Sequence, residues 1–147
     1  MIINNYFIDT SALFKRYIPE QGTEELDNIF KQDAVFYISD VTIIEVISNL
    51  KRKSEITREL DENLYKKIKG EFYNDIAHEN IKTVSVLSKT IIEAINLIDK
   101  RYVTPLNSLQ LATALQLNSE KGSIIFICSD KKLFILAEKC GLKSLLI

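Results

Sequence analysis

Five short runs that are apolar or rich in apolar residues alternate along the chain with longer segments of helical spacing, and this alternation is the strongest constraint on the fold. The runs cover residues 6–8, 34–38, 81–86, 124–128 and 145–147. Short apolar runs of this kind are typical of buried strands. Strands joined by helices form crossovers that place parallel strands in one sheet and helices on both of its faces. The sequence therefore predicts a three-layer α/β/α domain with a central, mostly parallel sheet.

Length, charge and cysteine content narrow the class of protein. A chain of 147 residues suits one domain, spanning 1–147. Its net charge of -1 excludes the strongly basic surface of a protein that coats nucleic acid non-specifically. Cys128 and Cys140 indicate neither a disulfide framework nor a zinc site. No leader-like start and no apolar run near the ~18 residues of a membrane span are present, so we expect a cytoplasmic protein with no membrane partner.

Two aspartates each follow a predicted strand and precede a predicted helix. Asp9 comes after the run 6–8, and Asp130 comes after the run 124–128. In open α/β sheets, ligands bind outside the carboxyl ends of the strands. The two carboxylates could therefore face each other across a crevice at this edge. The simpler alternative is that each aspartate only caps the helix that follows it.

A third acid, Glu45, lies inside an otherwise apolar stretch of a predicted helix. A charge there is costly unless it is paired or bound to a metal, although Glu45 could also lie at the edge of the solvated face. Three carboxylates brought together without a lysine or arginine would repel one another and raise their pKa values. A hard cation such as Mg²⁺ resolves that conflict, because it prefers oxygen ligands. Asp9, Glu45 and Asp130 are the candidate metal ligands.

Four segments of the chain carry a resemblance to a known family. They are residues 7–13 (FIDTSAL), 39–50 around Glu45, 106–114 (LNSLQLATA) and 129–133 (SDKKL). Their order and spacing resemble the signature blocks of PIN-domain proteins, and in particular those of VapC-type toxins of toxin–antitoxin pairs. The resemblance implies a five-stranded parallel sheet and a ribonuclease that cleaves RNA with Mg²⁺ or Mn²⁺ through four acids. It also implies a small antitoxin partner and a homodimer.

Asn107 departs from the family pattern. The third acid of the family is an aspartate at the start of a helix, and the matching position here is Asn107. Asparagine keeps one acceptor oxygen but loses the charge, so it cannot act as a general base. It could also simply satisfy backbone groups in the first turn of its helix. Asn107 is compatible with weakened cleavage, with binding without cleavage, and with an introduced change that silences a toxic nuclease.

Further polar residues are candidates for supporting roles. Hydroxyl groups beside the two aspartates could orient the carboxylates or bind metal-coordinated waters, and they could equally cap helices; these are Thr10, Ser11 and Ser129. Basic residues near the predicted site could contact RNA phosphates, or could be ordinary surface cations; these are Lys51, Arg52 and Lys131.

Three classes of function are weighed against one another. The first is the metal-dependent ribonuclease with Asp9, Glu45, Asn107 and Asp130 in its site. The second is a module of the same fold that binds RNA or an antitoxin-like protein without cutting. The third, a phosphoryl-transfer enzyme or switch, is disfavoured because a dehalogenase-like site requires an aspartate two residues after Asp9, where Ser11 stands.

Overall fold

The computed structural model describes residues 2–147, and within them five strands alternate with seven helices. The strands are β1 (Asn4–Ile8), β2 (Ala34–Ser39), β3 (Lys82–Val84), β4 (Ile124–Cys128) and β5 (Lys143–Leu146). The helices are α1 (Thr10–Tyr17), α2 (Thr23–Phe30), α3 (Asp40–Glu55), α4 (Glu62–Ala77), α5 (Ser88–Lys100), α6 (Pro105–Lys121) and α7 (Lys131–Lys139). Among these residues, no helix combines the length and the apolar character needed to cross a membrane.

The strands form one parallel sheet in the order β3-β2-β1-β4-β5. The central strand β1 pairs with β2 on one side and with β4 on the other. The chain moves outward from β1 through β2 to β3 and then returns to the other side of β1 for β4 and β5. The order of strands therefore reverses between β1 and β4, and a crevice opens there at the carboxyl edge of the sheet. The predicted three-layer α/β/α fold is confirmed.

Alternation along β1 divides the core into two layers. Tyr6 and Ile8 pack on the face covered by the first four helices, whereas Phe7 points to the opposite face. Phe7 stacks on Phe126 of β4 with ring centroids 5.9 Å apart, and it is completely buried. Every residue of β4 is buried, which explains why its sequence is a continuous apolar run rather than an alternating pattern.

Some element boundaries differ from the sequence prediction. Helix α4 begins at Glu62 rather than near residue 57, because Asp61 caps it and the backbone of residues 59 and 60 folds back onto the carbonyl of Lys53. Gly70 lies inside α4 without splitting it. Strand β3 covers only three residues, while β5 begins two residues earlier than its apolar run. These are the two edge strands, where one neighbour is missing and the apolar signal is weakest.

We predict that Phe7→Ala destabilises the protein by about 3–5 kcal/mol, because it removes a fully buried ring from the centre of the sheet and leaves a cavity. Urea denaturation followed by circular dichroism measures this change. Tyr73→Ala is the control, since Tyr73 is 46% exposed on α4 and its removal should cost much less. A loss below about 1 kcal/mol for Phe7→Ala would contradict this account of the core.

Candidate active site

Asp9 is the most buried acid at the carboxyl edge of the sheet. It directly follows β1, caps α1 and is only 2% exposed. Its Oδ1 accepts a hydrogen bond from the backbone N–H of Ala12 at 2.9 Å. The hydroxyl of Ser11 lies 2.9 Å from both carboxylate oxygens, and it accepts a hydrogen bond from the backbone N–H of Ser129 at 3.2 Å. Ser11 therefore links the end of β4 to the Asp9 carboxylate.

Burial raises the pKa of Asp9 to about 7. Desolvation is the main cause, and the negative charges of Glu45 and Asp130 add to it. Hydrogen bonds from Ala12 and Ser11 lower the pKa but do not offset the burial. Within residues 2–147, no lysine or arginine forms a salt bridge with Asp9. The site therefore has negative charge without a cation to balance it.

Glu45 is held by a cluster of buried polar side chains. Its Oε1 accepts hydrogen bonds from the Thr10 hydroxyl at 2.8 Å and from the Gln110 amide at 3.1 Å. The same amide nitrogen lies 2.9 Å from the hydroxyl of Thr10 and 2.6 Å from that of Thr42. Thr10, Thr42 and Glu45 come from α1 and α3, whereas Gln110 comes from α6 on the other face of the sheet. The cluster thus ties both helical layers together at the site.

The sequence prediction missed Gln110. This residue is 1% exposed, and its amide oxygen is the buried side-chain oxygen without a hydrogen-bond partner among the described residues. An amide is costly to bury, so a glutamine between Leu109 and Leu111 on a predicted buried helix was the signal that could have found it. The signal is weak, because the position of Gln110 relative to Glu45 depends on how α6 packs.

Asp130 and Asn107 line the same groove at the carboxyl edge of the sheet. Asp130 caps α7, where its Oδ1 accepts hydrogen bonds from the backbone of Lys132 at 2.8 Å and of Leu133 at 3.1 Å. Asn107 is half-buried in the first turn of α6, and its backbone N–H donates to Thr104 Oγ1 at 3.4 Å. Within residues 2–147, the side-chain amide of Asn107 makes no hydrogen bond. Both residues line a groove of about 440 Å³.

The polar residues predicted to support the two aspartates do not all contact an aspartate. Thr10 contacts Glu45 rather than an aspartate, and the hydroxyl of Ser129 donates to the carbonyl of Ile147 at 3.0 Å. Arg52 lines a groove of about 340 Å³ together with Ser11, Ser129 and Asp130.

The two predicted RNA-contacting lysines lie away from that groove. Lys51 pairs with Glu55 at 3.1 Å and lies over the ring of Tyr65, so it faces the α3–α4 surface. Lys131 is exposed at the start of α7, and its neighbour Lys132 lines the groove that contains Asn107 and Asp130.

The donor atoms at this edge fit a hard divalent cation. The candidate donors are the carboxylate oxygens of Asp9, Glu45 and Asp130 and the amide oxygen of Asn107, whereas the nearby thiol of Cys128 is buried and donates to the Asp130 carbonyl at 3.6 Å. In the part of the chain that the structure describes, no three histidine, cysteine, aspartate or glutamate side chains form a complete metal-binding group. Mg²⁺ needs only one or two direct carboxylates and retains several waters. The arrangement therefore suits an ion bound through few direct ligands.

Comparison with known families agrees with the fold. The model of the PIN domain family matches residues 6–139, so the chain belongs to this family. PIN domains are generally nucleases and generally use divalent metal ions. The family predicted from the four sequence segments is confirmed.

Solved structures with the same fold share little sequence with the chain. VapBC-1 from nontypeable Haemophilus influenzae has a TM-score of 0.63 and 14% identity, covering 97% of each chain. FitAB bound to an IR36 DNA fragment has a TM-score of 0.64 and 14% identity, covering 96% of this chain and 94% of the other. A protein of Pyrobaculum aerophilum has a TM-score of 0.58 and 16% identity, covering 97% and 92%. No curated protein matches the chain in sequence.

We predict that Asp9→Asn stabilises the metal-free protein at pH 8 by about 2–4 kcal/mol. The folded-state pKa of Asp9 lies above its unfolded value of 3.8, so the buried charge lowers stability as the pH rises from about 4 to 7 and above. Most of the gain should be lost near pH 4, where the folded state is protonated and the unfolded state is about half protonated. Urea denaturation at both pH values measures it.

The matched control is Asp61→Asn, which makes the same change at the exposed N-cap of α4. We expect it to alter stability by less than about 0.5 kcal/mol. If Asp9→Asn gave no greater gain in stability at pH 8 than at pH 4, the Asp9 charge would be compensated in the folded protein, and this account of the site would be wrong.

Proposed function

We propose that the chain is a metal-dependent endoribonuclease of the VapC toxin type, which cleaves RNA phosphodiester bonds. The observation that carries this proposal is the buried Asp9 carboxylate, which lies next to two further acids and has no cationic partner among the described residues. A site of this kind is costly to maintain without a ligand of positive charge. Membership of the PIN family supports the nuclease class.

Asp9, Glu45 and Asp130 would hold Mg²⁺ or Mn²⁺, either directly or through its coordinated waters, with Asn107 at the fourth position. A bound divalent ion supplies an activated water and stabilises the leaving oxygen in phosphodiester cleavage. Ser11 orients the Asp9 carboxylate by donating to it, while Thr10 and Gln110 fix Glu45. Asp130 binds the backbone through Oδ1 alone, which leaves Oδ2 for a ligand. Arg52 and Lys132 lie on either side of Asp130, where they could neutralise phosphates.

The second candidate is a PIN-fold module that binds RNA or an antitoxin without cleaving. Two observations favour it: Asn107 supplies no charge, and no complete three-acid group forms among residues 2–147. An amide can still bind a metal-coordinated water, but it cannot accept a proton from the attacking water. The two candidates therefore differ in whether a site with an amide at position 107 can cleave RNA.

We predict that Asn107→Asp raises the cleavage rate of a fluorescent single-stranded RNA at least tenfold in Mg²⁺ or Mn²⁺, because the restored carboxylate completes the acid quartet. The control is Asn107→Asp combined with Asp9→Asn, which should cut no faster than background. Cleavage by the restored variant alone would identify the present chain as a disabled nuclease. If neither the unaltered protein nor Asn107→Asp cleaves the RNA, the enzyme proposal is rejected.

The amide of Gln110 should act on metal binding through Glu45. We predict that Gln110→Leu weakens Mn²⁺ binding about tenfold in calorimetry, because Glu45 loses a donor that fixes its orientation. Gln116→Leu is the control. It removes a hydrogen-bonded amide from the same helix, where Gln116 pairs with Thr90 rather than with Glu45. Equal Mn²⁺ affinity for all three proteins would remove Gln110 from this role.

A small antitoxin partner and a homodimer belong to the same proposal. Two structures of the same fold, VapBC-1 and FitAB, are toxin–antitoxin complexes. Helix α5 and the residue before it expose a row of large apolar side chains that suits a protein interface: Leu87, Ile91, Ile92 and Ile95. Light scattering of the purified chain, alone and with the protein encoded beside it, measures both kinds of association.

A further inference from the structure

A groove between the α5–α6 connection and α7 lies beside the candidate active site. We call it the Tyr102 groove, and it is lined by residues 101–104 on one side and by Lys132, Leu133, Ile135 and Leu136 on the other. Its volume of about 440 Å³ is within the range of pockets that hold small organic ligands. Most of the residues that line it are not candidate metal ligands, so the metal site alone does not account for the groove.

Asp130 lies between the Tyr102 groove and a second groove. Asn107 and Asp130 line the Tyr102 groove, and Asp130 also lines the groove of about 340 Å³ that contains Ser11 and Arg52. The two grooves therefore adjoin at Asp130, one of the acids of the candidate site. A polymer cleaved at the site would therefore place the monomers that flank the cleaved bond in the two grooves, one on each side of Asp130.

The two grooves offer different chemistry. The Tyr102 groove has apolar side chains along α7, including the buried Leu133 and the half-buried Leu136. The ring of Tyr102 is 81% exposed, and within residues 2–147 it makes neither a stacking contact nor a hydrogen bond. A large aromatic ring without packing partners at the edge of a groove is available to stack on a flat ligand.

Two cations accompany this ring. Arg101 and Lys132 line the groove, and in the described part of the chain neither forms a salt bridge. By contrast, Lys51 and Lys53 of α3 are paired with glutamates. Unpaired cations next to an aromatic ring are the combination that binds single-stranded nucleic acid, where bases stack and phosphates are neutralised.

We propose that the Tyr102 groove binds the nucleotide adjacent to the cleaved phosphodiester of a single-stranded RNA. Tyr102 stacks on its base, while Arg101 and Lys132 contact the flanking phosphates. The apolar wall formed by α7 covers the other face of the base. This assignment rests on the proposed function for its substrate class, and it adds a binding subsite that does not depend on the metal.

The test is RNA binding in the absence of metal. Fluorescein-labelled ten-nucleotide RNAs of oligo(A), oligo(U) and oligo(C) are titrated with the protein in EDTA, and anisotropy gives the dissociation constants. We expect Tyr102→Ala to weaken binding of the best of these RNAs about tenfold, since stacking on an aromatic residue contributes about 1–3 kcal/mol per base. Tyr102→Phe keeps the ring and should stay within about twofold of the unaltered protein.

Tyr73→Ala is the matched control, because it removes an exposed tyrosine from α4, outside both grooves. It should leave binding unchanged. The two cations are tested by the salt dependence of binding. Arg101→Ala and Lys132→Ala should each reduce the magnitude of the slope of log association constant against log salt concentration by about 0.7, which is the value for one phosphate contact on a single strand.

The outcomes separate this subsite from the proposed function. Loss of RNA binding in Tyr102→Ala alone supports the subsite, whether or not the protein cleaves RNA. Equal binding by Tyr102→Ala and Tyr73→Ala overturns the subsite even if cleavage is observed, and so does the absence of RNA binding by the unaltered protein. If Tyr102→Ala instead changes the molar mass in light scattering while RNA binding is unchanged, the groove is a protein interface and the proposal is rejected.

Discussion

The structure depends on burying a carboxylate almost completely at the end of the central strand. Asp9 follows the central strand of the sheet, and the strands on both sides of β1 limit where its side chain can point. Three hydrogen-bonding contacts from Ser11 and Ala12 hold the carboxylate, but burial still outweighs them in setting its pKa. A buried acid without a cation lowers the stability of the folded chain. Such a cost is reasonable at a site whose ligand carries positive charge.

The layout of this edge follows from the topology. The strand order reverses next to β1, so the segments after β1 and β4 diverge toward opposite faces of the sheet and leave Asp9 and Asp130 between them. Glu45 reaches the same edge from α3, where Thr10 and Gln110 hold it. The acids thus come from distant parts of the chain: Asp9 and Asp130 cap the helices that follow their strands, whereas Glu45 is held by side chains of two other helices.

The fold and the acids could be predicted from the sequence because both follow from local signals. Apolar runs mark strands, and an acid that follows a strand must lie at the carboxyl edge of a parallel sheet. The same reasoning failed for side chains whose partners are set by packing. Gln110 was missed because its contact with Glu45 depends on the rotation of α6. The sequence also did not indicate that Lys51, a candidate RNA contact, pairs with Glu55 and lies over the ring of Tyr65.

The side chain of Asn107 can change by mutation without disturbing its neighbours. Its amide supports no neighbouring group among residues 2–147, and Glu45 is held by a separate set of hydrogen bonds. The charge at this corner can therefore be lost or regained while the surrounding packing stays the same. Asparagine and aspartate codons differ by a single nucleotide, so one point mutation separates the two chemical states. The neutral and the charged form of this position are therefore one mutation apart on an otherwise unchanged scaffold.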